Sequence, residues 1–270
     1  MPKARTKPTV RLIHHMARSG GTLISRCLGS MDGVCLLSEI HPAGATSIQP
    51  AQYRINPFKQ ALQWHGLFDQ TDAKRFRTRP PSFQQLMWMI EQRASAKGLK
   101  LVVRDWSHLD WIGLPFTTPG FGSPLAAAFD GAYDVRRVCT VRHPIDQWLS
   151  LMKLPLVARS GLTIDAYLRG MLGFAKLCDE IGFVRYEDLT HDPDAHLRTI
   201  CDALALDFDP GYAERWSTYD RITGDKQFSR GGAERIRPLE RRPAEPGLAD
   251  EFRANPAYAE IKALLGYDAD

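Results

Sequence analysis

Short apolar runs alternate along the chain with stretches in which apolar residues return every three or four positions, the pattern of buried strands interleaved with amphipathic helices. The first run, residues 10–15, predicts a strand that leads into a Gly-containing turn at Arg18-Ser19-Gly20-Gly21. Leu23, Ile24, Cys27, Leu28 and Met31 follow at helical spacing, and a second strand over 34–38 ends at Glu39. Residues 83–97 predict a helix stopped near Gly98, and residues 99–104 a third strand. A fourth strand over 137–141 runs into a helix opened by Pro144, since proline suits a first helical turn. Helices over 163–180, 194–204 and 248–265 and a short strand over 182–186 complete the order. Alternation of this kind predicts an α/β protein with a mostly parallel sheet flanked by helices. Three stretches break the pattern: 40–80, a loop with short helices; 105–135, irregular; and 220–247, basic and rich in Gly and Pro. Binding residues concentrate on loops held by a rigid scaffold, so the first two read as substrate-side inserts.

Composition narrows this picture only a little. At 270 residues, 44% hydrophobic and 24% charged, the chain suits one large domain over 1–270, with residues 1–9 expected to be flexible. The net charge of +4 comes without a block of like charges, which fits an anionic ligand and does not indicate nucleic acid. Cys27, Cys35, Cys139, Cys178 and Cys201 are scattered and form no CxxC pair, so they read as reduced, buried residues. The apolar stretch behind the N-terminus is too short for a signal peptide or a membrane span. A cytoplasmic protein is expected.

The chemistry sits at two places. Ala17-Arg18-Ser19-Gly20-Gly21-Thr22-Leu23 joins a strand to a helix, and such a turn presents several backbone N–H groups together with the positive end of the helix dipole. Arg18 adds a charge there, and Ser19 and Thr22 add hydroxyls; a plain βα turn would need only the glycine. The nucleotide-triphosphate loop GxxxxGK[ST] is absent, which counts against a kinase or ATPase. In the second place, Arg142 ends a strand and Ser150 lies eight residues on, two turns into the next helix. Both can converge on one phosphate, whereas separately they would read as a structural salt bridge and an exposed helical serine.

Together these segments resemble the family of sulfotransferases that use 3′-phosphoadenosine 5′-phosphosulfate (PAPS), whose fold is related to the P-loop nucleotide-binding proteins. Ala17 to Leu23 is similar to that family's Pro-Arg/Lys-Ser-Gly-Thr-Thr loop, with Ala17 for Pro and Gly21 for the first Thr. The resemblance implies that Arg18, Ser19, Gly20, Gly21, Thr22 and Leu23 bind the 5′-phosphosulfate. Arg142, Pro144 and Ser150 match the motif that binds the 3′-phosphate. Phe183-Val184-Arg185-Tyr186-Glu187-Asp188-Leu189 resembles the family's strand ending in Tyr-Glu-Asp-Leu, which implies that Tyr186 lies near the adenine. Phe228-Ser229-Arg230-Gly231-Gly232 is similar to the late loop closing over the 3′-phosphate, which implies roles for Arg230 and Gly231. These matches run in family order from about residue 10 to 235.

The activity implied is transfer of a sulfuryl group from PAPS to the hydroxyl of an acceptor, a small molecule, glycan, lipid or peptide, leaving adenosine 3′,5′-bisphosphate. In-line displacement of this kind rests on positioning and electrostatic stabilisation, for which Arg18 is the candidate, with Arg104 resembling the family's second cation; no metal is expected. The acceptor also needs a general base. Glu39 ends the second strand, where the tyrosylprotein and heparan branches place a catalytic Glu; His108 follows the third strand, after which the cytosolic branch uses a His; Asp105 is a further candidate. Glu39 is preferred. His14-His15, on a buried strand, read as core histidines. Tyr53, Phe58, Trp64, Phe68, Trp106, Trp111, Phe116 and Phe121 are expected to line an apolar acceptor pocket between the two inserts. A kinase of the same superfamily and a non-catalytic nucleotide-binding protein are the alternatives. The missing Gly-Lys-Ser/Thr argues against the first, and the presence of Arg18, Glu39 and Arg104 against the second.

Overall fold

The computed structural model describes residues 7–45, 56–114, 117–224 and 235–267. Strands β1 (Thr9–His15), β2 (Val34–Ile40), β3 (Lys100–Asp105), β4 (Asp134–Val141) and β5 (Phe183–Arg185) form one sheet in the order β2-β3-β1-β4-β5. Every pairing in it is parallel. Side chains along β1, β2 and β3 are buried almost throughout, because helices cover both faces, and this is why these strands read as nearly unbroken apolar runs. Successive residues divide between the faces. Val10 and Leu12 pack under helix Phe83–Ala96, while Ile13 packs with Ile24 and Leu28 of helix Gly21–Gly29 and with Leu197 and Ile200 of helix Pro193–Ala203. Helix Ile164–Ile181 lies beside β4 and holds Pro256–Leu265 against itself through Phe174, Ile261 and Leu265.

Several boundaries differ from those expected, each for a local reason. β4 begins at Asp134 rather than 137, paired with β1 from Thr9 onward; its exposed Asp134 and Arg136 hid the strand from an apolar count. Thr9, expected to be flexible, opens β1, and Pro8 O before it accepts from Asp134 N–H at 2.9 Å. The insert 105–135 contains helices His108–Ile112 and Pro124–Phe129. Tyr186 is not the end of a strand but the first residue of helix Tyr186–His191. The helix expected over 248–265 is two, Pro246–Ala254 and Pro256–Leu265. Pro256 cannot continue a helix, and Asn255 starts the next one by accepting from Ala257 N–H.

The insert 40–80 is held down from its far side. Helix Gln70–Thr78 opens with a reciprocal cap between Asp69 and Asp72, and helix Phe83–Ala96 with one between Ser82 and Gln85. Asp72 also receives Arg93 of the second helix, which ties the insert to the helix that covers β2 and β3.

β1 connects towards β2 on one side of the sheet, and β4 towards β5 on the other. The crevice beyond the carboxyl ends of these two neighbouring strands is the place where open parallel sheets bind ligands. The turn at Arg18 and the segment at Arg142 both leave the sheet there.

Candidate active site

Beyond β1 the backbone turns through Arg18, whose φ of 73° is left-handed, and Gly20, at φ 88°. Ser19 locks the turn by donating its hydroxyl to Met16 O at 2.7 Å. Gly20 caps helix Gly21–Gly29, whose first turn holds no acidic residue. A helix leaves its first N–H groups without an intrahelical acceptor, so those of Gly21, Thr22 and Leu23 add to positive potential at this end. Both glycines are required by their surroundings. A Cβ on Gly20 would lie 2.3 Å from Tyr186 Cδ2, and one on Gly21 would lie 2.4 Å from His15 Nδ1.

The second half of the site comes from β4. Arg142 is only 7% exposed, and its guanidinium lies 4.9 Å from the Tyr186 ring centroid. Ser150, on helix Pro144–Leu151, accepts from Arg18 Nε–H at 2.7 Å, and Gln147 of the same helix donates to Ala17 O at 2.8 Å. The two motifs are thus one site. Arg242 joins them, a residue that sequence reasoning left undistinguished inside the basic loop 220–247. Asp146 fixes its position, pairing with Arg241 Nε at 2.6 Å and accepting from Arg242 N–H at 2.9 Å. The positive charges of Arg142, Arg242 and Arg18 all bear on Tyr186, opposing the rise that burial gives its phenol. Among the described residues, Arg142 Nε and Arg242 Nη1 are buried without a hydrogen-bond partner. Buried guanidinium nitrogens call for an acceptor, and a phosphate oxygen has the charge and geometry to be one. The adjacent basic pair Arg241-Arg242 was the signal available in the sequence. Arg230 and Gly231 lie outside the described residues.

On the other side of β1, the register of β2 shifts between Leu37 and Ile40, and Glu39 there adopts a left-handed φ of 55°. Its Oε1 accepts from Arg104 Nη2 at 3.3 Å, and its Oε2 from the Thr223 hydroxyl at 2.6 Å. Arg104 is 3% exposed and donates Nε–H to His15 Nε2 at 2.6 Å. Arginine is always a donor, so His15 carries its proton on Nδ1 and gives it to Met16 O at 3.1 Å. Burial, then the charge of Arg104, pushes His15 well below the usual histidine range, leaving it neutral. Gly21 packs on His15, His15 on Arg104 and Arg104 on Glu39, so the cradle and the carboxylate are contiguous.

The other two base candidates are differently placed. Trp106 Nε1–H donates into His108 Nε2 at 2.8 Å, which leaves the His108 proton on Nδ1; burial pushes this histidine down to about 4. In that tautomer it has no free lone pair and acts as a donor. Asp105 is fully buried, and its Oδ2 accepts from His14 Nδ1 at 2.6 Å and Ser107 Oγ at 3.0 Å, a core contact beneath the site.

The expected aromatic pocket is not a single feature. Phe58 and Phe68 pack with Phe76 in the cluster that also buries Trp106, whereas Trp111 packs with Phe174 and Phe121 in another. Trp64 is half-buried after helix Pro57–Gln63, and Phe121 is 50% exposed. Tyr53 and Phe116 lie outside the described residues.

Among the described residues, no group of three or more His, Cys, Asp or Glu is placed to hold a metal ion, and no helix is long and apolar enough to cross a membrane. No curated protein is matched by this sequence. The fold is similar to the sulfotransferase domain from the curacin biosynthetic pathway, with a TM-score of 0.65 at 18% identity over 97% of this chain and 99% of that one. A sulfotransferase from Alicyclobacillus acidocaldarius matches at a TM-score of 0.47 and 15% identity, over 97% of this chain and 96% of that one. The model of a sulfotransferase family matches residues 12–210, a span that runs from β1 past the Arg142 and Tyr186 segments. With well over half its length matched, the chain belongs to the sulfotransferase family, and its chemistry is sulfuryl transfer.

Proposed function

We propose that this enzyme takes its sulfuryl group from PAPS and delivers it to the hydroxyl of a small-molecule acceptor. The observation that carries this reading is the pair of buried guanidinium nitrogens of Arg142 and Arg242, without a partner among the described residues, together with the helix N-terminus at Gly21. A nucleotide with a 3′-phosphate and a 5′-phosphosulfate presents anionic groups to both. Arg142, Arg242 and Ser150 would hold the 3′-phosphate, with Tyr186 beside the adenosine. The N–H groups from Gly20 to Leu23, the Ser19–Thr22 turn and Arg18 would hold the phosphosulfate. The cradle tolerates a backbone-close anion because positions 20 and 21 carry no Cβ.

When bound, PAPS supplies a sulfuryl group on a stabilised leaving phosphate. Arg18 and the helix N-terminus meet the negative charge that develops on the leaving oxygen, and Arg104 adds a second positive charge. Glu39 takes the acceptor's proton. Two of the four non-glycine residues with left-handed φ among the described residues are Arg18 and Glu39, and strain of this kind gathers at functional sites. The five free, buried cysteines support a reducing compartment, the cytoplasm.

A turnover assay tests this reading: PAPS and a pooled library of hydroxyl acceptors, read as formation of adenosine 3′,5′-bisphosphate and of sulfated product by mass spectrometry. Turnover is expected to persist in EDTA, because guanidinium groups and N–H dipoles supply the charge stabilisation. ATP turnover with strict magnesium dependence would overturn the reading in favour of a kinase.

A further inference from the structure

Thr223 lies far along the chain from β2, yet its hydroxyl makes the shortest contact to the Glu39 carboxylate, at 2.6 Å. The hydrogen bonds around it fix the direction of every proton. A carboxylate only accepts, so Thr223 Oγ1–H donates to Glu39 Oε2. Thr223 Oγ1 then accepts from Ser38 Oγ–H, 2.9 Å away. Ser38 Oγ in turn accepts from Thr223 N–H at 3.1 Å and from Arg104 Nη1 at 3.2 Å. The chain of donors runs one way, from Arg104 through Ser38 and Thr223 to a single oxygen of Glu39. Among the described residues, Glu39 Oε1 has only the longer contact from Arg104 Nη2, 3.3 Å. Gly224, at φ 82°, brings backbone against the same oxygen: a Cβ there would lie 3.1 Å from Oε1.

We propose that Thr223 is a positioning residue for the catalytic carboxylate: it occupies Oε2, holds the Glu39 side chain in one rotamer and reserves Oε1 for the acceptor's proton. This rests on Glu39 being the base. In the step so defined, the acceptor O–H bond breaks and its proton goes to Oε1. The acceptor oxygen forms the new bond to sulfur, and the bond from sulfur to the 5′-phosphate oxygen breaks with its electron pair left on that oxygen. Arg104 faces both carboxylate oxygens, directly at Oε1 and through Ser38 and Thr223 at Oε2. Loss of the Thr223 hydroxyl therefore frees Oε2 without removing the charge beside Oε1. Without that anchor the carboxylate rotates and divides its time between productive and unproductive orientations.

Kinetics of Thr223→Val, Thr223→Ser, Glu39→Gln and the Glu39→Gln/Thr223→Val double variant test this with PAPS and an accepted hydroxyl substrate. Thr223→Val is expected to lower kcat about tenfold or more, as loss of a hydrogen bond to a charged group does, with KM for PAPS and affinity for adenosine 3′,5′-bisphosphate unchanged. Thr223→Ser should stay within about threefold of the parent, and the double variant should be no slower than Glu39→Gln alone. Thr223→Ala provides a second hydroxyl-free chain, and nucleotide binding reports that each variant is folded. If Glu39→Gln abolishes turnover while Thr223→Val and Thr223→Ala leave kcat unchanged, the positioning role is overturned and the base assignment stands. If Glu39→Gln keeps turnover, the base assignment itself falls. A Thr223→Val loss that serine does not restore, or that persists in the Glu39→Gln background, also overturns the positioning role.

Discussion

Arg142 and Arg242 come from opposite ends of the fold's second half, one at the tip of β4 and one from a loop about a hundred residues later. Each carries a buried guanidinium nitrogen with no partner among the described residues. Substituting either by alanine is expected to weaken binding of adenosine 3′,5′-bisphosphate by about tenfold or more, since each charge-assisted hydrogen bond contributes roughly 1.5–3 kcal/mol. Ser150→Ala should cost less, because that hydroxyl also serves Arg18. Isothermal titration of the three variants measures this, and unchanged affinity in both arginine variants would remove the 3′-phosphate assignment. Arg142 was legible because its strand, its proline and its serine stand at fixed offsets. Arg242 was not, because its place depends on Asp146, and a contact across some ninety-six positions leaves no local pattern. The same holds for the proposed base: Glu39 closes the strand read from the sequence, but the tautomer that makes His108 a donor follows from Trp106 N–H, a matter of orientation rather than spacing.

At the level of elements, the caps separate stability from chemistry. Ser82 and Gln85 satisfy each other's backbone at the start of helix Phe83–Ala96, and neither bonds to a residue of the site. Ser82→Ala is expected to cost about 1 kcal/mol in urea unfolding and to leave kcat and KM untouched. A change in kcat would mean that the insert 40–80, pinned to this helix by Asp72 and Arg93, feeds into the site. Strands and helices were legible where apolar period and end signals coincided, as in Thr163 capping helix Ile164–Ile181. They were hidden where polar side chains clothe a paired backbone, as in the first half of β4. The break at Asn255-Pro256 was readable in principle, since the proline marks it, but the apolar period runs across it without interruption.

For the molecule as a whole, acid sensitivity follows from histidines depressed by burial, among them His15 and His108. A histidine held neutral by burial titrates below its unfolded value of about 6.5, so the unfolded chain binds the proton first. The stability these groups contribute is complete above about pH 6.5 and is lost as pH falls from there towards the folded value, about 4 for His108. Thermal melts between pH 7.5 and 4.5 should show a falling Tm with its onset near pH 6.5, made shallower by His108→Asn. A Tm flat to pH 5 would contradict this electrostatic description of the core. The order of strands in the sheet was not available from the sequence, because alternation of elements gives a parallel sheet without saying which strands are neighbours.

The ring of His15 stands where a side chain at position 21 would have to go. Volume at these two positions is therefore shared: whatever one gains the other must give up. A threonine at 21, as the related loop carries, demands a smaller residue at 15, and with the imidazole goes the neutral acceptor that steers Arg104. Positions 15, 21 and 104 are thus coupled through one imidazole, which limits the volume at 21 and accepts from the guanidinium at 104. What limits the side chain at position 21 therefore sits on the strand behind the loop rather than in the loop itself.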